Sequence, residues 1–221
     1  MRILAASDLH GKHGFYISLL EAVKPARAEA IVLAGDLLGY AAGFDRAEEA
    51  QKADADEILR ILEQSTTPVY YVMGNDDLFE FGPGKGHVLP IHGTRIELGP
   101  YNLIGYRYSL PFMGGIFEKT EEEIGRDLAA LEPLADARTV FVTHSPAKGV
   151  LDETMLKTHA GSTSILEFVR KAGVRAHIHG HIHGGFGREG RHFNVAALPS
   201  AKAMLIDLDA MTHRLVDLTG A

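Results

Sequence analysis

Up to Ser145, short apolar runs alternate with longer amphipathic stretches. The run RILAAS, Arg2 to Ser7, is too short for a core helix and stops at Asp8-Leu9-His10-Gly11, which predicts a buried strand followed by a tight turn. In GFYISLLEAVKP, Phe15, Leu19, Ala22 and Val23 recur at helical spacing, and the predicted helix ends at Pro25. AEAIVLAGD reads as a second strand, ending at Gly35-Asp36. DRAEEAQKADADEILRILEQ, from Asp45 to Gln64, is rich in Ala, Glu and Arg and predicts a long helix closed by STTP. PVYYVMGND is a third strand, ending at Gly74-Asn75. KTEEEIGRDLAALEPLADA predicts a further helix and RTVFVTHS a strand ending at His144. STSILEFVRKAG is a helix, and VRAHIHGH the strand after it.

Strands alternating with helices predict an α/β fold built from βαβ units. The segments Val88 to Arg107 and Gly185 to Leu218 lack helical spacing and read as β-hairpins broken by Gly and Pro. The expected architecture is a four-layer α/β/β/α sandwich of two mixed β-sheets flanked by helices. No internal repeat, low-complexity tract or linker interrupts the 221 residues, so one domain over 1–221 is expected.

Composition narrows the class. With 46% hydrophobic and 23% charged residues the chain reads as soluble and globular. Its longest apolar runs are about six residues against the roughly 20 of a membrane helix, and the N-terminal stretch turns polar at Ser7, unlike a signal peptide. The sequence contains no cysteine, which excludes disulfides and thiolate metal sites and fits a cytoplasmic protein. A net charge of −7 argues against a stable nucleic-acid complex. It leaves room for a small phosphorylated ligand held by metal ions. Neither a membrane partner nor a particular oligomeric state is indicated.

Twelve histidines are the unusual count. Several stand where strands end: His10 with Asp8, Asp36, Asn75 with Asp76, His144, and His181 with His183 in GHIH. Ligand sites of α/β sheets lie outside the carboxyl ends of the strands. Any one of these residues is an ordinary turn former; the whole set, each at a strand end, points to one site. Imidazole nitrogen suits Zn, Fe and Mn, and carboxylate and amide oxygens extend the range to harder ions. His181 and His183 fall on one face of an extended segment, so each can reach one ion. His177 and His179 share that parity; a supporting role is expected for His179 and a plain strand role for His177.

The series SDLHG, AGDLLG, GNDD, THS and GHIH resembles the calcineurin-like metallophosphoesterase superfamily, in particular its small single-domain phosphodiesterase-like branch. The match runs from position 8 to position 183. It implies an α/β sandwich with the site at one rim and two divalent or mixed-valence metal ions of the Mn, Fe or Zn type. Asp8, His10, Asp36 and His183 would hold one ion; Asp36 would bridge to a second, held also by Asn75, His144 and His181. The implied activity is hydrolysis of phosphoric esters by a metal-activated hydroxide.

One block departs from the pattern. Family members that act on monoesters usually carry His after Gly-Asn as proton donor, and here Asp76 stands in its place. Beside excess positive charge a carboxyl stays ionised and is a poor general acid. The expected substrate is therefore a phosphodiester, small or nucleotide-like, with a leaving group that needs little protonation. A substitute donor is His159 in HAGS, which resembles a turn of the phosphodiesterase branch. Three other readings stay open: a catalytically weak metal- or nucleotide-binding regulatory module, a phosphomonoesterase, and a protein phosphatase. Phe79 to His92 is expected to border the pocket, where Lys85 or Arg107 could meet a second phosphate. His13 is a weaker candidate, and His87, His92, His192 and His213 read as loop or strand residues.

Overall fold

Strands whose residues form a continuous apolar run are buried on both faces, and β1 (Arg2–Ala6), after its half-buried Arg2, and β2 (Ala30–Ala34) behave in this way. The computed structural model describes residues 1–39, 47–82, 84–112 and 114–220. The remaining strands are β3 (Val69–Val72), β4 (Val88–Pro90), β5 (Arg95–Leu98), β6 (Tyr101–Tyr106), β7 (Thr139–Thr143) and β8 (Ala176–His179). After them come β9 (Gly187–Glu189), β10 (His192–Asn194), β11 (Lys202–Asp207) and β12 (Thr212–Asp217). Among the described residues these form two mixed sheets of six strands, ordered β12-β11-β1-β2-β3-β4 and β5-β6-β7-β8-β10-β9.

The layer between the sheets is apolar. Ile3, Val32 and Val72 of the first sheet meet Leu103, Val142, Ile178 and Phe193 of the second. The opposite faces carry the helices. Leu4, Ile31 and Tyr71 pack under α1 (His13–Ala26) and α2 (Ala47–Leu62) through Leu19, Ile58 and Leu62. Ile104 and Phe141 pack under α3 (Glu121–Leu131) and α4 (Thr163–Ala172) through Ile124, Leu128, Ile165 and Val169. The architecture is the expected α/β/β/α sandwich. No helix among the described residues is long and apolar enough to cross a membrane.

Helix ends follow local chemistry. Thr120 and Glu123 form a reciprocal capping box at α3, Ser162 caps α4, and Gly173 in the left-handed region stops it. Helix α1 does not end at Pro25: the ring sits in the last turn, and the chain leaves at Arg27 with φ 52°. A proline there forfeits a single helical hydrogen bond. The predicted start of α2 at Asp45 and Arg46 lies outside the described residues.

The two hairpin regions are more elaborate than expected. β5–β6, β9–β10 and β11–β12 are antiparallel pairs. β4, however, adds in parallel to β3, and β10 in parallel to β8, so each region supplies strands to both sheets.

Parallel pairing sets the register that matters for function. Ala6 pairs with Leu33 and Ala34 with Val72, so β1, β2 and β3 end side by side. In the second sheet Val142 pairs with Ile178, which brings the ends of β7 and β8 together. The two rims meet where His144 Nδ1 donates to the Ala34 carbonyl at 2.9 Å.

Candidate metal centre

Past the rim, the backbone turns sharply at candidate ligands. Asp8, His10, Asp36 and His181 have φ of 55°, 43°, 52° and 69°. This left-handed region is sparsely populated by residues with a Cβ, at a cost of about 1–3 kcal/mol each. Backbone bonds between the two loops hold the turns: Asp8 N to Gly35 O at 2.9 Å, His10 N to Asp36 O at 3.0 Å and Gly11 N to Leu37 O at 2.9 Å. The glycines of the motifs make room. A Cβ on Gly35 would lie 2.5 Å from His144 Nδ1, and one on Gly74 2.2 Å from Asp36 Oδ1.

Two sets of potential ligand atoms result, Asp8–His10–His183 and Asp36–His144–His181, each with its atoms within 4.8 Å of one another. A third set, His10–Asp36–Asp76, shares a member with each and makes them contiguous. In the first, His183 Nε2 is 3.1 Å from Asp8 Oδ1, while Asp8 Oδ2 accepts from Ser7 Oγ at 2.5 Å and His181 N at 3.1 Å. In the second, His144 Nε2 lies 3.1 Å from Asp36 Oδ2. That contact lacks hydrogen-bond geometry, so the two atoms face a common point more than each other. Asp36 Oδ1 accepts from Asp76 N at 3.0 Å.

Whether these residues fit metal ions can be judged from their donors. Asn75 is buried; its Nδ2 donates to Asp76 Oδ1 at 2.8 Å, leaving a buried Oδ1 with no hydrogen-bond partner among the described residues. Buried acceptors without partners are costly and rare. His144 spends Nδ1 on the Ala34 carbonyl, which fixes its tautomer and turns Nε2 inward, as second-shell bonds do for metal-ligating imidazoles. The electrostatics agree. Burial opposes charge on both members of the Asp36–His144 pair, yet attraction wins: His144 is driven up to about 10 and Asp36 well below the carboxylate range. Burial holds His10 low and, with the His144 charge, brings His181 down to about 4, which keeps both rings neutral at neutral pH. His183 is raised by its bond to Asp8. The donor set fits two hard or borderline cations.

The expected common face for His181 and His183 is not what brings them to the site. Strand β8 ends at His179; His181 then turns left-handed and His183 opens a 3-10 turn. Extended alternation is lost there, and the turn sends the two rings to different sets. His177 and His179 stay in the strand, fully buried. His177 bonds Thr143 Oγ1 at 2.8 Å and His192 Nδ1 at 2.9 Å, so His192 is a buried partner, beyond an ordinary strand residue.

Asp76 takes the place its position promised, beside His10 and Asp36, with its carbonyl accepting from Gln51 Nε2 at 2.9 Å. His159 is outside the three sets. Its Nδ1 lies 2.7 Å from Oδ1 of buried Asp152, which also accepts from Gly149 N and Gly161 N at 2.9 and 3.0 Å. This loop leans on the His183 turn, where Gly185 approaches the Leu151 carbonyl so closely that a Cβ would lie 2.4 Å from it. Lys85 pairs with Glu63 at 3.5 Å; Arg107 pairs with Glu80 and stacks 4.8 Å from the Phe117 ring. His13 pairs with Asp54 at 2.5 Å. The sequence reading passes over Ser7, Asp77 and Asn194. Asp77 accepts from Leu37 N, Leu38 N and Gly74 N at 2.9, 2.8 and 2.7 Å. Asn194 Nδ2 holds the Ile182 carbonyl at 2.9 Å. The doubled Asp of GNDD is a signal for Asp77; Asn194 has none.

A sandwich whose rim gathers carboxylates and imidazoles in contiguous sets is suited to holding metal ions. The sequence pattern of the calcineurin-like phosphoesterase family matches residues 1–185, and the chain belongs to that family. Solved structures share the fold. TT1561 of Thermus thermophilus superposes with a TM-score of 0.71 at 19% identity over 98% of both chains. A dimetal phosphatase from Danio rerio gives 0.63 at 11% identity over 99% of both. A novel archaeal phosphodiesterase gives 0.51 at 12% identity, covering 98% of this chain and 99% of that one. Comparison with curated proteins finds no match.

Proposed function

We propose that the protein hydrolyses phosphodiester bonds of a small or nucleotide-like substrate with two metal ions of the Mn, Fe or Zn type. Asp8, His10, Asp36 and His183 would hold one, and Asp36, Asn75, His144 and His181 the other. The observation that carries this reading is the contiguity of the Asp8–His10–His183 and Asp36–His144–His181 sets. Bound there, such ions supply Lewis acidity toward a phosphoryl oxygen and lower the pKa of water. The chain's own residues do the rest. Asp36 offers one oxygen toward His144 and the other toward the Asp76 amide, a division suited to a bridging carboxylate. Asp76 accepts the Asn75 amide and so aims the Asn75 oxygen inward. Held ionised beside two cations, it would be a poor proton donor to the leaving oxygen. That task falls to His159, whose Nδ1 is fixed by Asp152 and whose Nε2 is the free end of the half-exposed ring.

With added Mn, the protein is expected to cleave bis-aryl phosphodiesters faster than alkyl phosphomonoesters, because an aryl leaving group needs little protonation. The reverse preference in parallel assays would overturn this account of Asp76. Asp36→Ala is expected to lose metal and activity together; full metal content by elemental analysis would contradict the bridging role.

A further inference from the structure

The loop between β6 and α3 carries an aromatic side chain that no core uses. Its ends are tied: Ser109 N bonds Phe117 O at 3.0 Å, and Lys119 N bonds Ser109 O at 2.9 Å. Inside it, Glu118 Oε2 accepts the backbone N–H groups of Phe112 and Gly114, both at 2.9 Å. Both amides are thereby tied to the Glu118 carboxylate near the far end of the loop. The loop also abuts the site, since a Cβ on Gly115 would lie 2.6 Å from the Asn75 carbonyl. On this frame Phe112 stands 69% exposed. Its ring centroid is 5.9 Å from that of His181, with the planes at 87°. An organised loop thus holds an open aromatic ring one imidazole away from the Asp36–His144–His181 set.

We infer that Phe112 determines specificity: its open face receives a planar aromatic group of the substrate, an aryl or nucleobase-type ring attached close to the phosphorus. The inference rests on reading the neighbouring ligand sets as the phosphate site. Two features of the loop favour this occupant. The loop is braced against Asn75 on the side of the site, and the edge-to-face contact with His181 leaves most of the Phe112 ring open for offset or edge-on contact with a second ring. An aromatic platform tolerates many rings, since each presents a π-face. It therefore selects aromatic over aliphatic esters without selecting one base.

The test uses the full chain loaded with Mn and titrates phenylphosphonate and methylphosphonate by calorimetry. The wild-type protein is expected to bind the phenyl compound about tenfold more tightly. Phe112→Ala should abolish that difference, leave methylphosphonate affinity within about twofold, and leave the melting temperature unchanged, while Phe112→Tyr should restore the preference. In turnover, Phe112→Ala should raise KM for a bis-aryl diester with kcat nearly constant, as loss of uniform binding does. Equal binding of both phosphonates by the wild type overturns this inference alone. So does equal weakening of both in Phe112→Ala, which would mark a distorted loop, or self-association of the wild type that Phe112→Ala abolishes. Failure of the wild type to bind either compound overturns the phosphoesterase reading and this inference with it.

Discussion

A methyl group at position 180 would lie 2.1 Å from Ser7 Oγ and 2.4 Å from Asp8 Oδ2. Neither neighbour can retreat without breaking a bond: Ser7 bonds Asp8, and Asp8 Oδ2 also accepts from His181 N. Gly180→Ala should therefore displace Asp8, cost about 1–3 kcal/mol as overpacking does, and reduce metal content from two ions per chain toward one. Elemental analysis beside urea denaturation checks this; full occupancy with unchanged stability would contradict the packing argument. At this scale the sequence is legible wherever a donor residue closes an apolar run, as Asp8, Asp36 and His144 do. It is not legible for Phe112, whose exposure depends on a loop closed by Glu118, nor for the His181 turn, where a left-handed residue breaks the assumed alternation. Asn194 is hidden for a similar reason, since its bond to Ile182 links segments that nothing local relates.

Asp77 joins two loops that leave different strands. Its Oδ1 accepts from Leu37 N and Leu38 N beyond β2, and its Oδ2 from Gly74 N beyond β3. Burial and the Asp36 charge raise its carboxyl pKa, and the N–H groups of Gly74 and Leu38 with the His144 charge pull it only part of the way back. An amide cannot copy this arrangement, because Asp77→Asn would turn an NH2 toward an N–H. We expect Asp77→Asn to lose about 1–3 kcal/mol and to weaken metal binding about 10–100-fold, as loss of a supporting bond does. Metal titration of the folded variant measures it, and unchanged affinity would remove Asp77 from the site's support. Element boundaries are readable where side chains cap their own backbone, as at Thr120, Ser162 and Gly173. Sheet membership is not. The short runs of β4 and β10 look like hairpin strands, yet each pairs in parallel with a strand shortly before it, Val88 with Val69 and His192 with His177.

The whole molecule keeps several histidines neutral by burying them. Burial, helped by nearby cations, lowers His92 and His192 to about 4 each, and burial beside His179 and His192 holds His177 well below its ordinary value. An unfolded chain titrates its histidines near 6.5. Between these values the unfolded state binds more protons, so stability rises with pH across that window. The contribution is complete above about 6.5 and is lost as pH falls through the folded pKa values. With chelator present, the urea midpoint should drop by about 1 M between pH 7 and pH 5; a flat profile would show that these rings are not held neutral. The α/β/β/α architecture is legible as a whole because short apolar runs alternate with amphipathic stretches and two segments lack helical spacing. The apolar layer joining the sheets is less so, since β2 reads AIVLA and shows no polar face to orient it.

The bond from His144 Nδ1 to the Ala34 carbonyl joins a side chain of one sheet to the backbone of the other. It makes the rim a vernier for the alignment of the two sheets. A slip of one residue, about 3.3 Å along a strand, would carry His144 away from Asp36 while leaving each sheet intact. Substitutions at Phe193 or Val140, deep between the sheets and touching no ligand, thereby acquire a reading at the site. Metal affinity in this protein measures how well its two halves are registered.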